Sequence, residues 1–263
     1  MRLRDRIATS EGKRRYVRTL FATIADRYDF ITVALSYGQD RRWKRRLVQL
    51  AAPRTGTHAL DVATGTGDIA RELAARGADV IGLDITPRMI ELARAKIVVP
   101  AETPVARPFQ GRDRGAESAA PHRSESRAPQ YVVGDMLALP FPSASFDIVT
   151  TGYGLRNVPN LTMAIDEIGR VLKPGGQLLS LDFNRPSNAF VRTAYLAYLT
   201  TVGAALGWTL HRDPDTYRYI PASIRQYPGA HAVARMIESR GFRTARYYPV
   251  LGGLMAIHHA VRN

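Results

Sequence analysis

The chain reads as α/β: a mostly parallel sheet of seven strands with helices on both faces and a helical extension at its N-terminus. Three observations predict this. From residue 57 short apolar runs alternate with amphipathic stretches, as repeated strand–helix–strand units require. The first run ends in a glycine-rich turn, Thr64-Gly65-Thr66-Gly67, that opens a helix. Aspartates stand at the ends of three successive strands, the edge at which an open parallel sheet binds its ligand.

In chain order, residues 1–50 form a helical, basic preface with 13 Lys and Arg against 5 Asp and Glu, more than half of the net charge of +14. Within it, over 40–52, Trp43, Leu47 and Leu50 recur at helical spacing while arginines and Lys44 occupy the other faces. That helix either packs its stripe on the core with its charges in water, or contacts a membrane or RNA. Strands are predicted over 58–63, 79–83, 130–133, 146–151 and 177–183, and helices over 67–76, 87–97 and 161–172. Residues 98–130 carry five prolines and almost no periodic apolar residues, which predicts a disordered surface insertion without chemistry. Residues 185–230 are apolar and rich in tyrosine, as a cap over an apolar ligand would be. The uncharged run 193–210 inside the cap approaches the length of a membrane span, but its threonines, glycines and aromatics favour a surface or pocket helix. A helix around 233–239, stopped by Gly241, and strands around 244–249 and 254–261 end the domain, which takes in the whole of 1–263.

Composition sets outer bounds. With 45% hydrophobic and 23% charged residues in 263, the chain falls in the range of soluble globular proteins. The lack of cysteine excludes a thiolate nucleophile, a Cys-ligated zinc and an iron–sulfur cluster. Net charge favours a polyanion, nucleic acid or an anionic membrane surface, or simply reflects a basic soluble protein. The N-terminal arginines are interrupted by Asp5 and Glu11 and precede no apolar core, so a cytoplasmic address is expected.

The glycine-rich turn by itself is ambiguous, since Gly65-x-Gly67-x-x-Ala70 also passes as a dinucleotide fingerprint. Asp61, just before the turn, would repel a pyrophosphate and favour the ammonium group of S-adenosylmethionine (SAM). Asp84 ends the second strand, placed for both ribose hydroxyls, and Asp135 follows the third, placed for the adenine amino group with Met136 packed on the ring. Any one of these aspartates suits a helix cap or turn equally well. As a set, joined by Phe146-Asp147 and the Leu172-Lys173-Pro174-Gly175-Gly176 turn, they resemble the class I SAM-dependent methyltransferases over 57–183. The resemblance implies a Rossmann-like fold and a cofactor bound by Gly65, Thr66, Gly67 and Gly152 besides the three aspartates.

For the acceptor, nucleic acid is not expected: no Asp/Asn-Pro-Pro-aromatic segment follows the fourth strand, and there is no cysteine for attack on a pyrimidine. Phe21-Ala22-Thr23-Ile24-Ala25-Asp26-Arg27-Tyr28-Asp29, Leu35-Ser36-Tyr37-Gly38 with Arg42-Trp43-Lys44, Gly154-Leu155-Arg156-Asn157-Val158, Tyr217-Arg218-Tyr219-Ile220 with Ser223-Ile224-Arg225, and Gly252-Gly253 with Ala256 and His258 resemble the UbiE/MenG family. Those enzymes are the C-methyltransferases of menaquinone and ubiquinone biosynthesis, and the likeness takes in almost everything outside 98–130. It implies a polyprenylated quinol as acceptor, demethylmenaquinol before the methoxy-benzoquinol precursor of ubiquinone. It also implies that Arg156 orients a water or stabilises the quinolate, that Asn157 hydrogen-bonds a ring oxygen, and that Tyr28 closes the site.

Some readings stay open at this point. Arg156 could instead pair with Asp213 or Asp215, and His258 could be a base or a core histidine. Gly152 stands where the family often has Ser, Tyr153 where it has Phe, and His259-Ala260 alters the usual ending. A prenylated acceptor accounts for the apolar cap and predicts that the basic preface rests peripherally on anionic lipid; whether the chain forms a homo-oligomer stays open. The competing functions are methylation of another small apolar acceptor, SAM or RNA binding without turnover, and an NAD-dependent oxidoreductase.

Overall fold

In the computed structural model, which describes residues 3, 7–97, 127–186, 188–213 and 216–263, the basic preface carries three α-helices over the described residues 10–51. These are α1 (Ser10–Ile24), α2 (Tyr28–Leu35) and α3 (Asp40–Ala51), with a 3-10 turn at Ala25–Arg27 between the first two. Thr9 caps α1 by accepting the Gly12 N–H at 3.1 Å. Trp43, Leu47, Val48 and Ala51 of α3 are buried, while Arg41, Arg42, Arg45 and Arg46 are exposed, so the stripe packs on the core. Lys44 departs from expectation. It is buried rather than solvated, because Asp40 and Asp68 hold its Nζ at 2.6 and 2.8 Å.

All four residues from Ala59 to Val62 of β1 (His58–Val62) are buried, as a strand flanked on both edges and covered on both faces requires. It pairs in parallel with β2 (Asp79–Asp84) and β4 (Phe146–Gly152), and these pair outward with β3 (Gln130–Val133) and β5 (Leu172–Phe183). Antiparallel β7 (Met255–Arg262) and β6 (Phe242–Val250) complete the order β3-β2-β1-β4-β5-β7-β6. Period-two alternation splits the core: Ala59, Ile148 and Leu179 join α3, α4 (Asp68–Ala74) and α5 (Pro87–Ala95) on one face. Leu60, Val149 and Leu178 join α6 (Leu161–Val171) and α9 (Ala230–Glu238) on the other.

Two details differ from the sequence reading. Strand β5 starts at Leu172, which pairs with Phe146 before the register shifts and Gln177 meets Ile148, so the Lys-Pro-Gly-Gly segment is an irregularity within the strand. The cap contains α7 (Ala189–His211) and a second, unforeseen helix, α8 (Tyr219–Gln226). Among the described residues, α7 is the one helix long and apolar enough to cross a membrane, and 17% of its most apolar window is buried. The expected insertion lies outside the described residues except for 127–130, of which Gln130 already belongs to β3.

Candidate active site

Because chain connections run to opposite sides of β1 and β4, a crevice opens at their carboxyl ends, and the glycine-rich turn sits in it. Gly65 (φ +55°) and Gly67 (φ +84°) occupy the left-handed region that side chains resist. Their roles separate. At Gly67 a Cβ would lie 2.2 Å from the Tyr131 hydroxyl, so this residue admits a core tyrosine and starts α4. Gly65 borders the cavity, as do Asp84, Asp135, Met136 and Gly152.

Asp84 is buried and accepts the Gly65 N–H (2.9 Å) on one oxygen and the Thr86 N–H (2.8 Å) on the other. Each oxygen keeps a lone pair for a ligand hydroxyl. Burial raises its pKa, opposed by these backbone bonds. Asp61 lies deeper, accepting the Thr64 and Thr150 hydroxyls at 2.6 and 2.7 Å, and burial pushes its pKa up to about 6. Thr66 donates its hydroxyl to Asp29 of α2 at 2.6 Å, so part of the turn is occupied in holding the preface. Asp61 and Thr66 border a small adjoining pocket with Lys44 and Asp68 instead of the main cavity.

Asp135 turns out to be shared. One oxygen accepts the Leu137 N–H at 3.0 Å, and the other pairs with Arg14 of α1 at 2.6 Å. Arg14, Val17 and Phe21 roof the cavity, a contribution from the preface that local pattern did not reveal. Two residues of the lining, Thr86 and Asn157, carry buried oxygens without a hydrogen-bond partner, Thr86 Oγ1 and Asn157 Oδ1. These oxygens and Asp84 fit a ligand rich in hydroxyl and amino donors, as the ribose and adenine of SAM are.

Next to this crevice lies an apolar cavity of about 390 Å³. Its walls come from Leu20, Ile24 and Ile31 of the preface, Phe183 at the tip of β5, and Tyr195 and Tyr217 of the cap. Three aromatics, Phe21, Tyr28 and Tyr153, line both cavities, so the two share a wall. Burial pushes the Tyr28 phenol up to about 12, keeping it a neutral donor.

Arg156 and Asn157 occupy the 3-10 turn Leu155–Asn157, and the structure separates them. Arg156 borders the apolar cavity, its guanidinium 4.6 Å from the centre of the Phe183 ring. Asn157 borders the cofactor crevice instead, donating to the Tyr153 carbonyl at 2.7 Å, away from where a ring oxygen of the acceptor was expected. Of the two cap carboxylates open to Arg156 on sequence, Asp213 accepts from Thr216 and Asp215 lies outside the described residues, so the pairing the structure gives Arg156 is a different one. Its carboxylate is Asp182 of β5, which accepts the Arg156 backbone N–H at 3.1 Å and approaches its guanidinium at 3.6 Å. Arg156 Nε has no partner.

Lys13 of α1 also acts on this turn, donating to the carbonyls of Arg156 and Val158 at 3.1 and 2.8 Å. Burial and the neighbouring Arg156 lower its pKa. Its signal was a charge inside a basic run, indistinguishable there from a solvated one. His258 is a core histidine, buried, bonded to the Ala230 carbonyl at 3.0 Å and absent from both cavity linings.

Known proteins of similar sequence and fold identify the family. Residues 9–106 and 115–262 match the ubiE/COQ5 methyltransferase family. The Teredinibacter turnerae ubiquinone/menaquinone biosynthesis C-methyltransferase UbiE is 34% identical over 94% of this chain and 91% of its own. The Thermus thermophilus demethylmenaquinone methyltransferase is 37% identical over 91% and 98%. Among solved structures, a SAM-dependent methyltransferase from Thermotoga maritima, titled a possible histamine N-methyltransferase, aligns over 94% of this chain and all of its own. Its TM-score is 0.61 at 14% identity, a likeness of fold. With the crevice, the turn and the family match in agreement, the chain belongs to the ubiE/COQ5 methyltransferase family and is a SAM-dependent methyltransferase.

Proposed function

We propose that this enzyme methylates a ring carbon of a polyprenylated quinol, with demethylmenaquinol as its first acceptor and the methoxy-benzoquinol precursor of ubiquinone as the second. The observation that carries this reading is the apolar cavity of about 390 Å³ walled off from the cofactor crevice by Phe21, Tyr28 and Tyr153. When bound, SAM supplies an electrophilic methyl group on a sulfonium. The chain's own residues then have separable tasks. Asp84 accepts from the ribose, Asp61 attracts the ammonium group through its buried carboxylate, and Asn157 offers Oδ1 to the cofactor side. Arg156, facing the apolar side with an unused Nε, stabilises negative charge on the quinol oxygen as its hydroxyl proton leaves. The aromatic walls exclude water and align the ring.

An acceptor of this kind resides in lipid, and we place the enzyme on the cytoplasmic membrane surface as a peripheral protein. Phe30, Val33, Phe190 and Trp208 are exposed, and Phe190 also borders the apolar cavity. Arg41, Arg42, Arg45 and Arg46 of α3 are exposed cations, each worth about 1 kcal/mol against anionic lipid. An anaerobic assay of labelled SAM with demethylated naphthoquinol and benzoquinol tests the reaction. Transfer to the naphthoquinol is expected, and transfer only to phenols or sterols would overturn it. Vesicle cosedimentation should weaken at high salt and on neutralising the four arginines; binding indifferent to both would remove the peripheral assignment.

A further inference from the structure

Beside Arg156 the structure holds a second group of ionisable side chains that the functions above leave unused. Tyr153, between β4 and the Arg156 turn, has a backbone φ of +61°, a conformation a tyrosine adopts only under constraint. Its carbonyl accepts from both Arg156 (3.2 Å) and Asn157 (2.7 Å). Its hydroxyl donates to Asp40 Oδ1 at 2.5 Å, a length typical of a phenol bonded to a carboxylate. Asp40 is 2% exposed, and its other oxygen holds Lys44 Nζ at 2.6 Å. Lys44 continues to Asp68 at 2.8 Å, whose side chain is 33% exposed. A hydrogen-bonded chain therefore runs from a residue lining both cavities to the surface. Tyr28, lining the same two cavities, lies within electrostatic reach of Asp40 and Lys44.

We infer that Tyr153 and Asp40 form the proton relay for the acceptor hydroxyl, an inference that rests on the quinol reading above. As the quinol O–H breaks, its proton passes to Tyr153 Oη while the Tyr153 proton passes to Asp40 Oδ1, so the tyrosine ends neutral. The electron pair left on the quinol oxygen moves into the ring, whose carbon bonds the methyl group as the methyl–sulfur pair stays on sulfur. The proton held on Asp40 then returns through Tyr153 to the oxygen, and the ring sheds its own C–H proton to water at the mouth of the cavity beside Phe190, which is exposed. One proton is released in total. Lys44 compensates the charge of Asp40 between these transfers, and burial with Asp40 alongside keeps the Tyr153 phenol pKa well above its usual value, so it conducts without ionising.

Tyr153→Phe keeps the ring and deletes the relay. Its kcat on demethylated naphthoquinol should fall on the order of 10²-fold with KM for SAM unchanged, the scale of a lost acid–base group. Asp40→Asn should lose a similar factor, and the double variant no more than the worse single one. A second readout needs no turnover. The wild-type enzyme should bind 1-naphthol several-fold tighter than 1-methoxynaphthalene, which has no proton to donate, and Tyr153→Phe should erase that preference. Full turnover by Tyr153→Phe, additive losses, or a preference that survives the substitution would overturn the relay while leaving quinol methylation standing. A wild-type enzyme that methylates no quinol removes both. Should Asp40→Asn fail to fold, the probe comparison with Tyr153→Phe decides.

Discussion

The two neighbouring cavities are built in opposite ways. The cofactor crevice is assembled mainly from the tips of neighbouring strands: Gly65 follows β1, Asp84 ends β2, and Asp135 follows β3. The apolar cavity draws α1, α2, β5, α7 and the segment before α8 from both ends of the chain. A site on strand ends inherits its geometry from sheet register, whereas a cavity between helices depends on how separate segments dock. Mutations should therefore hit binding on one side and turnover on the other.

Asp84→Ala should break the cofactor half most. It removes the carboxylate that holds Gly65 and Thr86, and SAM affinity measured by titration calorimetry should fall on the order of 10²-fold. Arg156→Ala should leave SAM affinity within about twofold and lower kcat by an order of magnitude or more. It also strands Asp182, 1% exposed, without its cation, so the melting temperature should drop by several degrees. Equal loss of SAM binding in both variants would show that the two halves are a single unit.

A smaller effect is set by pH. Asp61 has a folded pKa of about 6 against an ordinary 3.8, so its ligand-free contribution to stability is full below 3.8 and is lost as pH rises through about 6. The cationic ligand prefers the ionised form, so SAM affinity should run the other way, falling up to about tenfold from pH 7 to pH 5. Asp61→Asn should flatten that profile; an unchanged slope would place the ammonium group elsewhere. Smallest is Arg14→Ala. Its pair with Asp135 is half exposed, and the substitution should raise the SAM dissociation constant about two- to threefold at low salt and not at high salt.

Some of this was readable along the chain and some was not, for physical reasons. The central strands announced themselves because burial on both faces favours runs that are apolar apart from a site residue such as Asp61, and the turn after β1 because glycine adopts φ of +55° and +84° without the strain a side chain adds. Lys44 was misread as solvated because a lysine in a basic helix looks the same whether its ammonium meets water or two carboxylates from 40 and 68. The partner of Arg156 was sought in the cap, while Asp182 reaches it from the adjacent strand β5. Asn157 follows Arg156 directly, yet the 3-10 turn sends one residue to each cavity. Helix α8 went unseen because Pro221 interrupts its pattern, and burial of its own Tyr219 and Ile224 supplies what propensity does not.

What the amino-acid order determined alone is the alternating α/β plan, the turn, the aspartates at strand tips and the family to which the chain belongs. Periodicity and glycine placement are local properties, set by backbone sterics and by which face of an element must leave water. Tertiary structure alone decided that Arg14 roofs the crevice, that Asp182 holds Arg156, and that Asp40 meets Tyr153 across 113 residues. Those contacts depend on how helices dock on a finished sheet, a matter of packing in three dimensions that no spacing along the chain encodes.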